Sequence, residues 1–283
     1  MTGTAGTPPR WTRLTVPGAL AVARAHCTVD CFPYHSLWRL FRRTGLKGHP
    51  GWHAGFFRAH LNAPRDPQRP VRALVCAASD EAMLATVLAC AGPRVAAHMV
   101  DACETPLILA AEYARRHHVE LTVEQARLPA ASWAPGRFDV VVTDGLLSLL
   151  PSGHDRDALL AQLADRLDPG GRLLYTTRIT RSGSVLEYDL LGRAVQAVAA
   201  RWTWRGGPAQ RRELAARVRS RTSRPSPFGS LTDLRQAFGG QFDRVRLFVR
   251  HDPASVALRV HPDAWRGAGS VCVGVLATQP RSP

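Results

Sequence analysis

Residues 72–84 read RALVCAASDEAML, and the fold turns on how this break between an apolar run and a helix start is understood. Ala73–Cys76 has the character of a short buried strand, and Glu81–Ala91 that of an apolar helix. The turn between them, Ala77, Ala78, Ser79 and Asp80, contains no glycine. Alanine and serine are the smallest residues short of glycine, so a ligand can still come close to the backbone. Ser79 is suited to cap the helix by accepting from a free N–H, with Asp80 and Glu81 in the first turn at the positive end of the helix dipole. Two carboxylates there oppose a pyrophosphate, and neither a GxGxxG fingerprint nor a P-loop signature occurs at this turn. The turn suits a ligand that carries a nucleoside and an ammonium group but no phosphate.

Downstream, strand and helix signals alternate. Strands are expected at Val95–Val100, Glu120–Glu124 and Asp139–Thr143, with a helix at Pro106–His117 and an amphipathic helix at Asp155–Leu167. The turn DPGG (168–171) leads into a fifth strand, RLLYTT. This alternation implies an α/β fold with a mostly parallel sheet covered by helices on both faces. Strand signals return in FDRVRLFV (242–249) and SVCVGVLAT (270–278) without a comparable helix between them, so an antiparallel edge is expected to close the sheet. Residues 183–238 read as an Arg-rich helical insert.

Upstream of this pattern the chain differs. Residues 1–25 read as a loose tail or a weak first helix. FPYHSLWRLFRR (32–43) sets Tyr34, Leu37, Trp38 and Phe41 at helical spacing, and GWHAGFFRAHL (51–61) repeats the theme. The proline-rich NAPRDPQRP (62–70) separates an N-terminal helical lid or tail, 1–70, from the α/β domain, 71–283.

The 283 residues suffice for one large core, and no apolar run approaches the ~20 residues needed to cross a bilayer. With no secretory signal in MTGTAGTPPRWTRL, a cytoplasmic location without membrane contact is expected. The net charge of +15 divides into +8 over residues 1–70, −3 over 71–180 and +10 over 181–283. Basic flanks can meet nucleic acid or anionic partners. The near-exclusive use of arginine among the basic residues favours a compositional origin instead, and oligomeric state is left open. The six cysteines, at 27, 31, 76, 90, 103 and 272, are expected as free thiols. His26, Cys27, Cys31 and His35 can share one side of a helix, but their spacing matches no common zinc pattern, and no metal is assigned.

In open α/β sheets a ligand lies over the carboxyl ends of the strands, near the reversal of strand order. Asp101 ends the second strand 22 residues after Ser79, close to the spacing at which an acidic residue accepts from ribose hydroxyls. Gln125-Ala126 ends the third strand and offers an amide to an adenine edge. Asp144-Gly145 follows the fourth and points a carboxylate toward the same crevice.

In this order, ALVCAASDEAML, VAAHMVDACETPL, VELTVEQARLP, FDVVVTDGLLSLLP and DPGGRLLYTTRI resemble a class I S-adenosylmethionine-dependent methyltransferase. Together with the upstream YHSLW and GWHAGFF, the chain is similar to a bacterial branch with a helical N-terminal lid, of the kind used in small-molecule biosynthesis. The resemblance implies a Rossmann-like seven-stranded sheet with an antiparallel last strand, binding S-adenosyl-L-methionine across strands one, two and four. It implies that Ala77, Ala78, Ser79 and Asp80 line the methionine half and that Asp101, beside Ala102, holds the ribose. By the same likeness Gln125 and Ala126 flank adenine, Asp144 and Gly145 close the crevice, and Tyr34, His35 and Trp38 cover the cofactor.

Methyl transfer from a sulfonium is an in-line displacement helped chiefly by positioning, and the faces of Tyr34 or Trp38 can stabilise the positive charge. Asp144, His35 and His154 are candidate bases, and Arg178 a candidate partner for a carboxylate. The expected activity is methyl transfer to oxygen or nitrogen of a small-molecule acceptor. Two alternatives stand beside it. One is an intramolecular cyclisation of the azetidine-2-carboxylate synthase type, which releases methylthioadenosine. The other is a non-catalytic or RNA-binding protein on a degenerate methyltransferase scaffold.

Overall fold

A computed structural model describes residues 18–28, 31–32, 35, 53–61, 69–92, 94–129, 136–150, 152–179, 207–209, 212, 228–250 and 271–281. Two helices, α1 (Ala19–His26) and α2 (Ala54–His60), precede the sheet. The alternating region then runs β1 (Val71–Cys76), α3 (Ala82–Ala91), β2 (Val95–Asp101), α4 (Glu104–Arg116), β3 (Glu120–Gln125) and β4 (Phe138–Asp144). A short 3-10 helix (Leu146–Leu149), α5 (Gly153–Asp165), β5 (Leu167–Ile179), α6 (Leu231–Gly239), β6 (Phe242–Arg250) and β7 (Val271–Pro280) complete it.

The seven strands form one sheet in the order β3-β2-β1-β4-β5-β7-β6. The first five are mutually parallel, and β7 is antiparallel to both neighbours. This is the seven-stranded, mostly parallel sheet expected from the sequence. The expected antiparallel last strand is β7, which inserts between β5 and β6 so that β6 takes the edge. The reason lies in burial. Val273, Val275 and Ala277 of β7 are fully buried, whereas β6 exposes Asp243, Arg244, Arg246 and Val249, as an edge can.

Alternate residues of the central strands enter two separate cores, one on each face. Leu74 and Cys76 of β1 pack with Val141, Leu173 and Tyr175 against Leu159, Leu160 and Leu163 of α5 and Leu234 and Phe238 of α6. Ala73 and Val75 face the other way, onto Met83, Leu84 and Val87 of α3 and Leu107, Ala110 and Tyr113 of α4. Ala19 of α1, Phe57 of α2 and Leu61 belong to this second core. Serines start two helices: Ser152 accepts from the Asp155 N–H at 3.1 Å, and Ser230 from the Asp233 N–H at 3.0 Å.

The DPGG segment is not a turn ahead of a strand but an irregularity within β5. Leu167 pairs with Phe138, and the register then jumps so that Arg172 pairs with Val140. Glycine is required there, because a Cβ on Gly171 would lie 2.9 Å from the carbonyl oxygens of both Asp168 and Phe138. The entrance to β1 is tied to β4 by Asp139, whose carboxylate accepts from the Arg69 guanidinium and, at 2.9 Å, from the Arg72 N–H.

Candidate functional site

Strand order reverses at β1, whose neighbours β2 and β4 are parallel to it, so the carboxyl ends of β1, β2 and β4 lie side by side. The β1 turn leaves the strand through Ala77, which adopts a left-handed φ of 51°. Its N–H donates to the Val100 carbonyl at 2.9 Å, tying the turn to β2. Ala78 is buried and Ser79 half-buried. Helix α3 begins only at Ala82, so Asp80 and Glu81 precede its first turn rather than occupy it. Asp80, 4% exposed, also caps this helix start, accepting from the Ala82 N–H through Oδ1 at 2.9 Å. Glu81 is fully buried and lies close enough to Tyr113 to reinforce the rise in the Tyr113 pKa that burial causes.

At the end of β2, Asp101 is buried and accepts from the Cys103 N–H through Oδ1 at 2.8 Å. Burial pushes its pKa up to about 6, against the lowering effect of the Cys103 N–H and the nearby His35. Ala102 is exposed on the same turn, and the Gln125 amide donates to its carbonyl at 3.2 Å. The Ala126 N–H donates to the Asp101 carbonyl at 2.9 Å. Asp101, Ala102, Gln125 and Ala126 thus form one contiguous rim.

At the end of β4, Asp144 accepts from the Thr176 hydroxyl at 2.7 Å, and Gly145, at φ 68°, donates its N–H to the Thr176 carbonyl at 2.8 Å. Behind it, the buried Tyr175 hydroxyl lies 3.3 Å from the Ser148 hydroxyl, and burial pushes its pKa up to about 12. His154 is exposed on the first turn of α5. Arg178, expected just after strand five, lies within β5, paired through its backbone with Cys272. Tyr34 and Trp38 lie outside the described residues, as does most of the expected insert.

His35 is not beside Asp144. Strand β1 separates the β2 and β4 ends, about 10 Å at the usual strand spacing. His35 Nδ1 lies 3.3 Å from Cys27 Sγ, in a cluster of which spacing along the chain points to three members. Burial disfavours its imidazolium, but hydrogen bonds with Cys103 and Cys31 outweigh burial and raise its pKa to about 9. The ligand atoms of Cys27, Cys31, His35 and Cys103 all lie within 4.8 Å of one another. His26, grouped with them on sequence spacing, points away and pairs with Glu104 at 2.9 Å. The member that spacing could not reveal is Cys103, which enters from the β2–α4 turn.

No family model matches the chain, and no curated protein is similar to it in sequence. Among solved structures it is similar to the N-methyltransferase NodS from Bradyrhizobium japonicum WM9 in complex with S-adenosyl-L-homocysteine. The identity is 11% over 86% of this chain and 98% of that one, with a TM-score of 0.49. It is also similar to the S-adenosylmethionine-dependent methyltransferase SibL in its apo form, at 18% identity over 82% of this chain and 57% of that one, TM-score 0.46. A third likeness is to an O-methyltransferase family protein from Burkholderia thailandensis, at 16% identity over 87% and 58%, TM-score 0.47. The chain spans little more than half the length of the last two. Among the described residues, no helix is long and apolar enough to cross a membrane.

Proposed function

We propose that the protein is an S-adenosylmethionine-dependent methyltransferase that acts on oxygen or nitrogen of a small molecule. The observation that carries this reading is the juxtaposition of three features on adjacent strand ends. These are the small Ala77–Ser79 turn after β1, the buried Asp101 after β2 and Asp144 after β4. The donor set fits the cofactor. With Asp80 occupying the start of α3, the site disfavours a pyrophosphate and tolerates an ammonium group. Asp101 accepts from backbone N–H groups of its own turn and, as a carboxylate, has acceptor capacity beyond them for ribose hydroxyls. When bound, the cofactor supplies a methyl group made electrophilic by its sulfonium.

In this reading Ala77, Ala78 and Ser79 approach the methionine half, while Ala102, Gln125 and Ala126 border adenine. Asp144, oriented by the Thr176 hydroxyl, takes a proton from the acceptor. Tyr34 and Trp38 cover the sulfonium from the N-terminal segment, and Arg178 meets a carboxylate. The rate gain comes mainly from holding acceptor and methyl group in line.

Calorimetric titration with S-adenosylmethionine and S-adenosylhomocysteine tests the reading. Both are expected to bind, and Asp101→Ala, checked for an intact fold by its melting curve, to weaken them roughly 10- to 100-fold, the worth of a hydrogen bond to a charged group. Absence of binding would remove the methyltransferase reading, and equal affinity in the variant would remove the ribose role. Product analysis then separates the chemistries: S-adenosylhomocysteine supports methyl transfer, whereas methylthioadenosine would turn the assignment to the cyclase.

A further inference from the structure

We propose that Cys27, Cys31, His35 and Cys103 form a closed, structural zinc site that clamps the segment after α1 to the tip of β2. The argument begins with reach. Cys27 is the residue at which α1 ends, its N–H donating to the Ala23 carbonyl at 3.0 Å. Cys31 and His35 lie one helical turn apart, with the His35 N–H donating to the Cys31 carbonyl at 3.1 Å, so both side chains emerge on the same side. Cys103 comes from the turn between β2 and α4, 76 residues after Cys27. Three separate pieces of chain therefore deliver three sulfurs and one imidazole nitrogen to one point.

Three of the six separations lie near the edges of a tetrahedral site, and the others fall within 4.8 Å. A metal with Zn–S bonds of about 2.3 Å and Zn–N bonds of about 2.05 Å has S···S edges near 3.8 Å and S···N edges near 3.6 Å. Cys27 Sγ lies 3.7 Å from Cys103 Sγ, Cys31 Sγ 3.6 Å from Cys103 Sγ, and Cys27 Sγ 3.3 Å from His35 Nδ1. A disulfide needs about 2.05 Å between sulfurs, and none of these pairs has it. Three thiolates and an imidazole select zinc over hard cations, and four protein ligands leave no open position, as in structural rather than catalytic sites.

Surrounding groups support the sulfurs. The buried Thr105 hydroxyl lies 3.0 Å from Cys27 Sγ, and the Thr28 hydroxyl 3.4 Å from Cys31 Sγ. Hydroxyls at such positions orient and stabilise thiolate ligands. The His26–Glu104 pair beside the cluster docks the same two elements. The site is independent of the cofactor assignment, although Cys103 also holds Asp101 through its backbone N–H.

The test is metal analysis of the full-length protein purified under reducing conditions, followed by zinc titration with a chromophoric chelator as competitor. About one zinc per chain is expected, and replacing it with cobalt(II) should produce the intense visible bands of a tetrahedral thiolate site. Cys103→Ser should lower zinc affinity by more than the roughly 10- to 100-fold that loss of an outer hydrogen-bond partner costs. The near-isosteric Thr105→Val should fall within that range, and it carries the test if Cys103→Ser fails to fold. Cys90→Ser and Cys272→Ser should change nothing. Failure of the reduced protein to retain or take up zinc would overturn the proposal. So would unchanged affinity in a folded Cys103→Ser, or a disulfide from Cys103 to Cys27 or Cys31 as the only form isolated.

Discussion

Ala77 holds a backbone conformation that a side chain opposes. At φ 51° its Cβ crowds the following carbonyl, at a cost of roughly 1–2 kcal/mol for a non-glycine residue. The hydrogen bond to Val100 and the covered strand beneath hold the turn in place. Ala77→Gly should therefore stabilise the fold, by up to about 1 kcal/mol after the extra freedom of glycine in the unfolded chain is subtracted. Ala77→Val, β-branched in the same conformation, should destabilise by about 1–3 kcal/mol. Urea unfolding midpoints measure both, and a loss of stability in the glycine variant would contradict the assigned strain. The absence of glycine was legible in the sequence, but the conformation imposed on the alanine was not, since it depends on where β2 lies. Likewise Asp80 and Glu81 were legible as carboxylates near a helix start, but not the division by which one caps α3 and the other is buried near Tyr113.

At the scale of elements, α2 is held by what β7 omits. A Cβ on Gly274 would fall 2.7–2.9 Å from three ring atoms of Phe56, whose ring also packs, tilted at 53°, 5.5 Å from that of Phe248 of β6. Glycine at this point of the strand lets a ring lie directly on the sheet. Gly274→Ala should push α2 outward and cost about 1–3 kcal/mol. Phe56→Ala should recover part of that loss in the double variant, so the cycle should show a coupling of at least ~0.5 kcal/mol. Additive losses in thermal or urea unfolding would mean that the ring can move aside freely. Element types were readable because the side-chain periods of strand and helix are local properties. DPGG reads as a turn in the sequence because proline and glycines signal a break equally well whether the chain leaves a strand or distorts within it.

Across the whole molecule, the sheet carries two cores, and the N-terminal helices complete one of them. Phe57, Leu61 and Ala19 are buried with β1, α3 and α4, and the Arg172 guanidinium donates to the His60 carbonyl at 2.9 Å. A chain truncated to begin at Arg69 should lose about 3–6 kcal/mol from Phe57 and Leu61 alone, a fall in melting temperature of roughly 10 °C or more, or soluble expression altogether. An unchanged melting temperature would show that 71–283 folds independently of the preceding helices.

By itself the sequence determined the alternation of strand and helix, the parallel character of the sheet and the carboxylates at its strand ends. These follow from hydrophobic periodicity and turn chemistry within a few residues of each position. Tertiary structure decided the insertion of β7 between β5 and β6, the separation of His35 from Asp144 and the meeting of Cys103 with Cys27, Cys31 and His35. Spacing along the chain predicts which side chains share an element, but partners brought from 76 residues away are selected by packing and loop closure, which leave no local period to read.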